Sequence, residues 1–233
     1  MYTIALIGAD GSGKTTIAKH IEEQMPLSVK YIYMGFSPLS SNFALPTTRL
    51  ISLTKRLLGK NGDTSGPPDP TKKRVRPKNP LKKFILFVKG ILRLTNRLAE
   101  EWFRQIVVWY YQYLGYAILT DRHFFSDYYA YDIANSDPDR PLTSRIHGFF
   151  LKHIYPRPHM IIFLDAPAEV LFARKGEGSL ELLDLRRKEY QNLHDQVKRF
   201  VTINVDQPLE IVIADVVNAL ENFLEAQNKE LAL

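Results

Sequence analysis

The 233-residue chain is long enough for one α/β domain with a sizeable core, and its 45% hydrophobic and 24% charged residues are ordinary for a globular protein. It has no cysteine, which excludes disulfides, thiolate metal sites and cysteine nucleophiles and suits a cytoplasmic protein. The net charge of +6 arises mainly between Lys55 and Arg97, and such a local excess can attract nucleic acid, anionic lipid or a phosphorylated substrate.

The first predicted elements are a strand, a glycine-rich loop and a helix. Residues 3–7 form an apolar, β-branched run typical of a buried parallel strand, and they lie so close to residue 1 that we expect no signal peptide. Apolar residues at helical spacing follow over 14–24. Between them, residues 8–15 read Gly-Ala-Asp-Gly-Ser-Gly-Lys-Thr, a complete GxxxxGK[ST] motif. Strand, loop and helix together predict a P-loop.

The motif predicts how this loop binds the phosphates of ATP. Its glycines let successive N–H groups point inward at phosphate oxygens, and the helix N-terminus adds partial positive charge. Lys14 is expected to reach the β- and γ-phosphates, and the Thr15 hydroxyl is expected to ligate Mg²⁺. The predicted ATP-binding residues are Gly8, Ala9, Asp10, Gly11, Ser12, Gly13, Lys14, Thr15 and Thr16.

A strand at 29–34 and helices at 47–58 and 81–114 are predicted next, with a basic, Gly- and Pro-rich insertion at 59–83. We interpret the insertion as flexible because it cannot bury enough apolar area to offset its ordering entropy. It is either simply solvated or a contact for an anionic membrane surface, helped by the apolar run at 84–88. No aromatic residue is interleaved with its charges, which argues against nucleic-acid binding.

A third predicted strand, at 116–120, ends at Asp121-Arg122-His123. An acid at the end of a buried strand beside a phosphate loop can hold Mg²⁺, directly or through water. Arg122 can neutralise phosphate charge with its planar fork of donors. The alternative is that Asp121 caps a turn. We predict that Asp121 holds Mg²⁺ together with Thr15.

The remaining pattern alternates helices and strands. The predicted elements are helices at 143–153, 167–174, 179–199 and 208–226, and strands at 160–164 and 201–205. Such alternation predicts one domain over 1–233, an α/β P-loop NTPase with a doubly wound, five-stranded parallel sheet flanked by helices. Its functional loops are expected at the carboxyl ends of the strands.

Basic residues surround a glycine-containing turn after the fourth strand. We predict that residues 174–188 form a lid that closes over the triphosphate and excludes water. The alternative is a solvated helix face with ion pairs, such as Asp184 with Arg187 or Lys188. The predicted lid residues are Arg174 at its start, then Lys175, Arg186 and Arg187.

Taken in order, these motifs resemble the thymidylate kinases, members of the nucleoside monophosphate kinase family. Only residues 35 to about 100 fall outside the resemblance. The segments that carry it are 9–16, Asp121-Arg122-His123 with Ser126, 164–170 with Arg174, and 203–210.

The resemblance implies transfer of the γ-phosphoryl group of ATP to a nucleoside monophosphate, with Mg²⁺ as cofactor. It implies that Asp10 meets the sugar of the acceptor and that Asp121 and Arg122 lie at the transferring phosphate. It also implies that Arg174 opens the lid. With the P-loop lysine, the predicted catalytic residues are Lys14, Asp121, Arg122 and Arg174.

The chain departs from the family after its second strand. Thymidylate kinases carry Thr-Arg-Glu-Pro-Gly there, and the arginine grips the acceptor phosphate. This chain has Tyr-Met-Gly-Phe-Ser-Pro at 33–38, so that arginine is absent. Arginines of the 81–114 helix are the predicted replacement, and we expect weak transfer to thymidine monophosphate. The predicted acceptor-binding residues are Asp10, Phe36, Arg97 and Arg104.

Two other functions stay open on the sequence alone. A P-loop kinase acting on a non-nucleotide acceptor, such as a sugar, glycan or lipid-linked alcohol, is favoured by the missing arginine. A nucleotide-binding regulatory protein without transfer activity is disfavoured by the intact Lys14, Thr15, Asp121 and Arg122. The expected partners are ATP and a small phosphate acceptor, and a homodimer is left open.

Overall fold

The computed structural model describes most of the chain and divides it into two compact units. The first unit comprises 1–31, 111–123 and 158–233, and the second comprises 32–110 and 124–157. The described residues are 1–24, 29–35, 41–57, 79–176 and 178–231.

Five parallel strands form the sheet in the order β2-β3-β1-β4-β5. The central strand β1 pairs with β3 and β4, and Leu6 lies opposite both Asp121 and Ile162. All five residues of β1 are buried, as expected for a parallel strand covered on both faces. Each strand lies within one residue of its predicted position, which confirms the predicted sheet. The strands are Thr3–Ile7 (β1), Val29–Tyr33 (β2), Ala117–Asp121 (β3), Met160–Asp165 (β4) and Phe200–Asn204 (β5).

Eight α-helices are found in the described part of the chain. None of these helices has the length and apolar character needed to cross a membrane. They are Lys14–Gln24 (α1), Pro46–Leu57 (α2), Pro80–Tyr113 (α3), Phe124–Tyr128 (α4), Leu142–His153 (α5), Ala168–Lys175 (α6), Leu180–Gln191 (α7) and Leu209–Leu231 (α8).

Three segments need comment. The helix predicted over 179–199 begins as expected at Leu180, but its predicted end is wrong, because α7 ends at Gln191 and the chain then buries Leu193 before a short 3₁₀ turn at His194–Gln196. Helix α4 and the π-helical turn Tyr129–Ile133 were not predicted, since this aromatic run has no helical period. Of the predicted insertion at 59–83, residues 59–78 lie outside the described residues, and residues 80–83 begin helix α3.

Candidate functional site

Tight packing in the first unit makes two glycines of the loop at 8–13 obligatory. A Cβ atom on Gly8 would lie 2.5 Å from the Leu164 carbonyl oxygen of β4. A Cβ atom on Gly11 would lie 2.4 Å from the Leu171 carbonyl oxygen of α6, and Gly11 has a φ of +90°. The loop therefore rests directly on backbone, and a side chain at either position would displace it.

Gly11→Ala is expected to destabilise the protein and weaken ATP binding, because it adds a backbone clash to an unfavourable φ. Gly115→Ala is a matched control, since Gly115 has a φ of +97° but no atom within 4 Å of its Cβ position. We expect the control to cost about 1–2 kcal/mol from the left-handed conformation alone, and Gly11→Ala to cost more. Urea unfolding and ATP titration measure both effects. Equal losses in the two variants would contradict the packing argument.

The Lys14 ammonium lies inside the loop. It is buried and donates hydrogen bonds to the Gly8 carbonyl at 3.0 Å, the Ala9 carbonyl at 2.9 Å and the Ser12 hydroxyl at 3.2 Å. These three bonds hold a positive charge among the inward-facing groups of the loop. A phosphate placed on the loop would meet this charge and the helix N-terminus together.

Thr15 and Asp121 meet although they are 106 residues apart in sequence. The Thr15 hydroxyl donates a hydrogen bond to Asp121 Oδ2, and Asp121 Oδ1 is buried without a hydrogen-bond partner. A hydroxyl beside a carboxylate that has an unsatisfied oxygen fits Mg²⁺, which prefers oxygen ligands. Within the described residues, no three His, Asp or Glu side chains group as a metal site. A cation here would thus take its remaining ligands from phosphates and water.

Arg122 directly follows strand β3, and its backbone is strained. Its φ is +68°, and no other non-glycine residue in the described part of the chain has a positive φ. Its backbone N–H still donates to the Leu6 carbonyl at 2.9 Å, while its Nη2 donates to Asp10 Oδ1 at 2.6 Å. Strain of this kind persists where the surroundings fix the backbone and is common at functional sites. The turn at Arg122 therefore brings its guanidinium to the loop.

Several cations surround the Asp10 carboxylate. Burial alone would raise the pKa of Asp10, but Arg122, Lys14 and Lys175 outweigh it and hold that pKa below its usual value. The Lys175 ammonium lies 3.7 Å from Asp10 Oδ1. Asp10 therefore stays ionised near neutral pH and holds two of these cations beside the loop.

The other predicted lid residues lie on or next to α6 and α7. Arg174 donates to the Val205 carbonyl at 2.8 Å, in the loop after β5. Arg186 lies 3.7 Å from the glutamate three positions later in α7. Arg187 forms a bidentate pair with Asp165 at the end of β4, through bonds of 2.7 and 3.0 Å. The lid roles of all four residues stay predictions.

The ion pairs of the alternative interpretation also occur. Asp184 Oδ1 lies 3.6 Å from the Arg187 guanidinium, and Asp184 Oδ2 lies 2.7 Å from the Lys188 ammonium. The ion pair between Arg187 and Asp165 was not predicted from the sequence. The acid directly before Ala166-Pro167, at a strand end, was the available signal.

The predicted acceptor residues are distributed between the two units. Asp10 belongs to the first unit, Arg97 and Arg104 belong to the second, and Phe36 lies outside the described residues. The Arg97 guanidinium lies 4.7 Å from the centre of the Tyr128 ring.

Arg104 is tied into the second unit. Its side chain is only 2% exposed and makes two bonds to Glu100 Oε1, at 2.9 and 2.7 Å. It makes two more to the carbonyls of Tyr33 and Gly35, at 3.3 and 2.6 Å. Four of its five N–H donors are therefore engaged, which leaves at most one for an acceptor phosphate.

A buried polar cluster in the second unit was missed entirely. The His147 ring is fully buried and bonds to Asp132 Oδ2 at 2.6 Å and to Glu101 Oε1 at 2.8 Å. The Ser144 hydroxyl donates to the other oxygen of Asp132, and the Tyr128 ring lies nearly perpendicular to the imidazole, with the ring centres 4.7 Å apart. A histidine on the apolar face of α5, beside Gly148 and Leu151, was the available signal.

This cluster predicts a pH-dependent stability. Burial lowers the pKa of His147, but hydrogen bonds to Asp132 and Glu101 outweigh it and raise that pKa above 6.5, while nearby Arg97 opposes them. Because the folded state then holds the proton more tightly, the stabilisation is complete below about pH 6.5 and is lost as the pH rises through the folded pKa.

His147→Gln is therefore expected to cost roughly 3–5 kcal/mol at about pH 6 and less at about pH 9. Urea unfolding at both pH values measures the gap between wild type and variant. His153→Gln, at an exposed histidine of the same helix, is the control and should change stability by less than about 0.5 kcal/mol. A gap of the same size at both pH values would contradict the assignment.

Comparison with known proteins agrees with this architecture. No family model matches the chain. The chain is 28% identical over 226 residues to a protein of Archaeoglobus fulgidus named a probable thymidylate kinase, and the alignment covers 95% of each chain. With its five-stranded parallel sheet, flanking helices and glycine-rich loop between β1 and α1, the chain has the α/β P-loop kinase fold.

Proposed function

We propose that this chain is an ATP-dependent kinase that phosphorylates a nucleoside monophosphate, similar to a thymidylate kinase. The observation that carries the proposal is the meeting of Thr15 with Asp121, whose second carboxylate oxygen is buried and unsatisfied. This pair adjoins a loop that already holds the Lys14 ammonium. The similarity to a probable thymidylate kinase over nearly the whole chain supports the same activity.

In the proposed reaction, a phosphate oxygen of the acceptor attacks the γ-phosphorus of ATP. The bond from that phosphorus to the β–γ bridging oxygen breaks in line with the attack, and ADP leaves. Lys14 neutralises charge on the β- and γ-phosphates, and the loop N–H groups hold them in place. Arg122, fixed by its backbone turn, stabilises charge on the transferring group with its planar fork. Positioning and electrostatics supply almost all of the catalysis.

Mg²⁺ would be held by Thr15 and Asp121, and its role is to neutralise charge on the phosphate oxygens. Asp121→Asn is therefore expected to raise the Mg²⁺ concentration needed for half-maximal activity by about 10- to 100-fold. Asp165→Asn is the control, because that strand-end carboxylate is already paired with Arg187. Mg²⁺ titrations of initial rate compare the variants. An unchanged titration for Asp121→Asn would make Asp121 a structural cap instead.

The acceptor is identified by measuring transfer of a radiolabelled γ-phosphoryl group from ATP to a panel of compounds. The panel contains thymidine monophosphate, the other nucleoside monophosphates, and sugar and lipid-linked alcohols. A preference for a nucleoside monophosphate supports the proposal. Because the family arginine is absent and Arg104 is largely engaged, we expect thymidine monophosphate transfer to be about 10- to 100-fold below that of an enzyme with a bidentate phosphate contact.

Arg97 is the better candidate for the acceptor phosphate, and Arg97→Ala should lower kcat/KM for the preferred acceptor. Arg145→Ala, at an exposed arginine of the same unit, should not. Transfer to an alcohol but to no nucleotide would favour the second candidate function, a kinase with a non-nucleotide acceptor. Absence of transfer to every acceptor, with ATP bound, would overturn the proposal.

A further inference from the structure

The first four turns of helix α3 expose an unusual amount of apolar surface. Phe84 is 64% exposed and Leu92 is 66% exposed, although both are large hydrophobic side chains. An exposed apolar patch of this kind marks an interaction site more often than a scattered single residue does. The hydrophobic residues that are at least half exposed in this segment are Leu81, Phe84, Ile85, Leu86, Phe87 and Leu92.

Two stripes of exposed residues run along the helix, and the exposed Lys83, Leu86 and Phe87 lie outside both of them. Residues 81, 84, 85, 88 and 92 follow the spacing i, i+3, i+4, i+7, i+11 and form one apolar stripe. Lys82, Lys89 and Arg93 follow the spacing i, i+7, i+11 and form a basic row about a third of a turn away. All three basic residues are exposed. The segment thus has an apolar face bordered by a cationic one.

The charge of this segment indicates which kind of partner its apolar face binds. Residues 79–99 contain five lysines and arginines and no acidic residue. A second copy docked through the same face would bring like charges together, which disfavours a homodimer there. A nucleic-acid backbone would satisfy the basic row but would leave the aliphatic stripe in water. An anionic lipid surface satisfies both stripes, because it offers phosphate and carboxylate groups above an apolar layer.

We propose that the segment Pro80–Arg93 of helix α3 binds an anionic lipid surface. The helix lies along the surface, with the apolar stripe at the boundary between headgroups and acyl chains. The basic row contacts the negatively charged headgroups. Helix α2, in the same unit, also exposes the apolar side chains of Leu50, Leu53 and Leu57. This proposal does not depend on the proposed kinase activity.

The test is co-sedimentation of the full chain with lipid vesicles. Binding is expected to vesicles that contain phosphatidylserine, to be weaker with phosphatidylcholine alone, and to fall as salt is added. Lys82→Glu with Lys89→Glu is expected to lower binding by on the order of tenfold or more. Phe84→Ser with Ile85→Ser is expected to do the same without loss of fold, since both side chains are exposed.

A matched control removes exposed apolar residues elsewhere. Leu209→Ser with Ile211→Ser changes two half-exposed residues of α8 in the first unit and should leave vesicle binding unchanged. Circular dichroism and thermal melting establish that each variant is folded. If the control variant lowered vesicle binding as much as the α3 variants do, the assignment of the binding site to α3 would be overturned.

The absence of cysteine allows a probe at a single position. With Phe84→Cys labelled by an environment-sensitive fluorophore, phosphatidylserine vesicles are expected to shift the emission to the blue. The same label introduced by Lys19→Cys, at an exposed site of the first unit, should not shift. Absence of binding to phosphatidylserine vesicles would overturn the proposal. So would a dimer in sedimentation equilibrium that Phe84→Ser with Ile85→Ser dissociates, or tight binding to nucleic acid that the same change weakens.

Discussion

Replacing Lys14 by methionine is expected to lower the rate of phosphoryl transfer by about 10²–10³-fold, because the proposed reaction uses this charge to neutralise the β- and γ-phosphates. The ammonium also bonds to Gly8, Ala9 and Ser12, so we expect a stability loss of about 1–3 kcal/mol. Single-turnover kinetics and urea unfolding measure the two effects. The loss of activity should be larger than the small fraction of unfolded variant could account for.

Lys19→Met is the matched control for this experiment. Lys19 lies in the same helix and is exposed, so its loss removes the same charge without touching the loop. We expect nearly wild-type activity and stability from the control. A Lys14→Met variant that keeps most of its transfer rate would remove this residue from the catalytic set.

Changes at Arg122 are expected to separate catalysis from backbone strain. Both Arg122→Ala and Arg122→Gly remove the guanidinium and should lower transfer by about 10²–10³-fold. Only glycine relieves the left-handed φ of +68°, so the glycine variant should be about 1 kcal/mol more stable than the alanine variant. This difference corresponds to about 2–4 °C in Tm for a chain of this size.

The same pair of changes at Arg145 should give the opposite order. Arg145 is an exposed residue inside helix α5, where glycine is less stable than alanine by about 1 kcal/mol. Thermal melting of the four variants provides the comparison. If the alanine variant were the more stable at both positions, the strain at Arg122 would be refuted. Arg122→Lys should restore only part of the activity, since an ammonium lacks the planar fork.

The fold could be predicted largely from local patterns. Each strand lies within a residue of its prediction because a buried parallel strand is a short apolar run between polar loops. The long helix α3 was found because its apolar residues keep a 3.6-residue period. Helix α4 and the π-helical turn were missed, since an aromatic run such as Phe124-Phe125 gives the same signal in a strand as in a helix.

The candidate site could be predicted in part. The motif placed the loop residues, because strand, loop and helix are adjacent in the chain. It could not show that Lys14 bonds to the loop itself, nor that Arg187 pairs with Asp165. Arg104 was predicted to meet an acceptor, and this role stays a prediction. The sequence could not show that Glu100 and backbone carbonyls engage most of its N–H donors.

The sequence by itself determined the P-loop, the order of the strands and of every α-helix except α4 in the described part of the chain, and the basic character of the segment that contains the start of α3. These features depend on neighbours within a few turns or strand lengths, where residue type and period dominate. The tertiary structure alone decided that Asp121 meets Thr15, that Arg122 turns left-handed towards Asp10, and that His147 lies between two carboxylates. Those contacts join residues far apart in sequence, and they form only because burying the sheet and helices fixes which strand ends and helix faces meet.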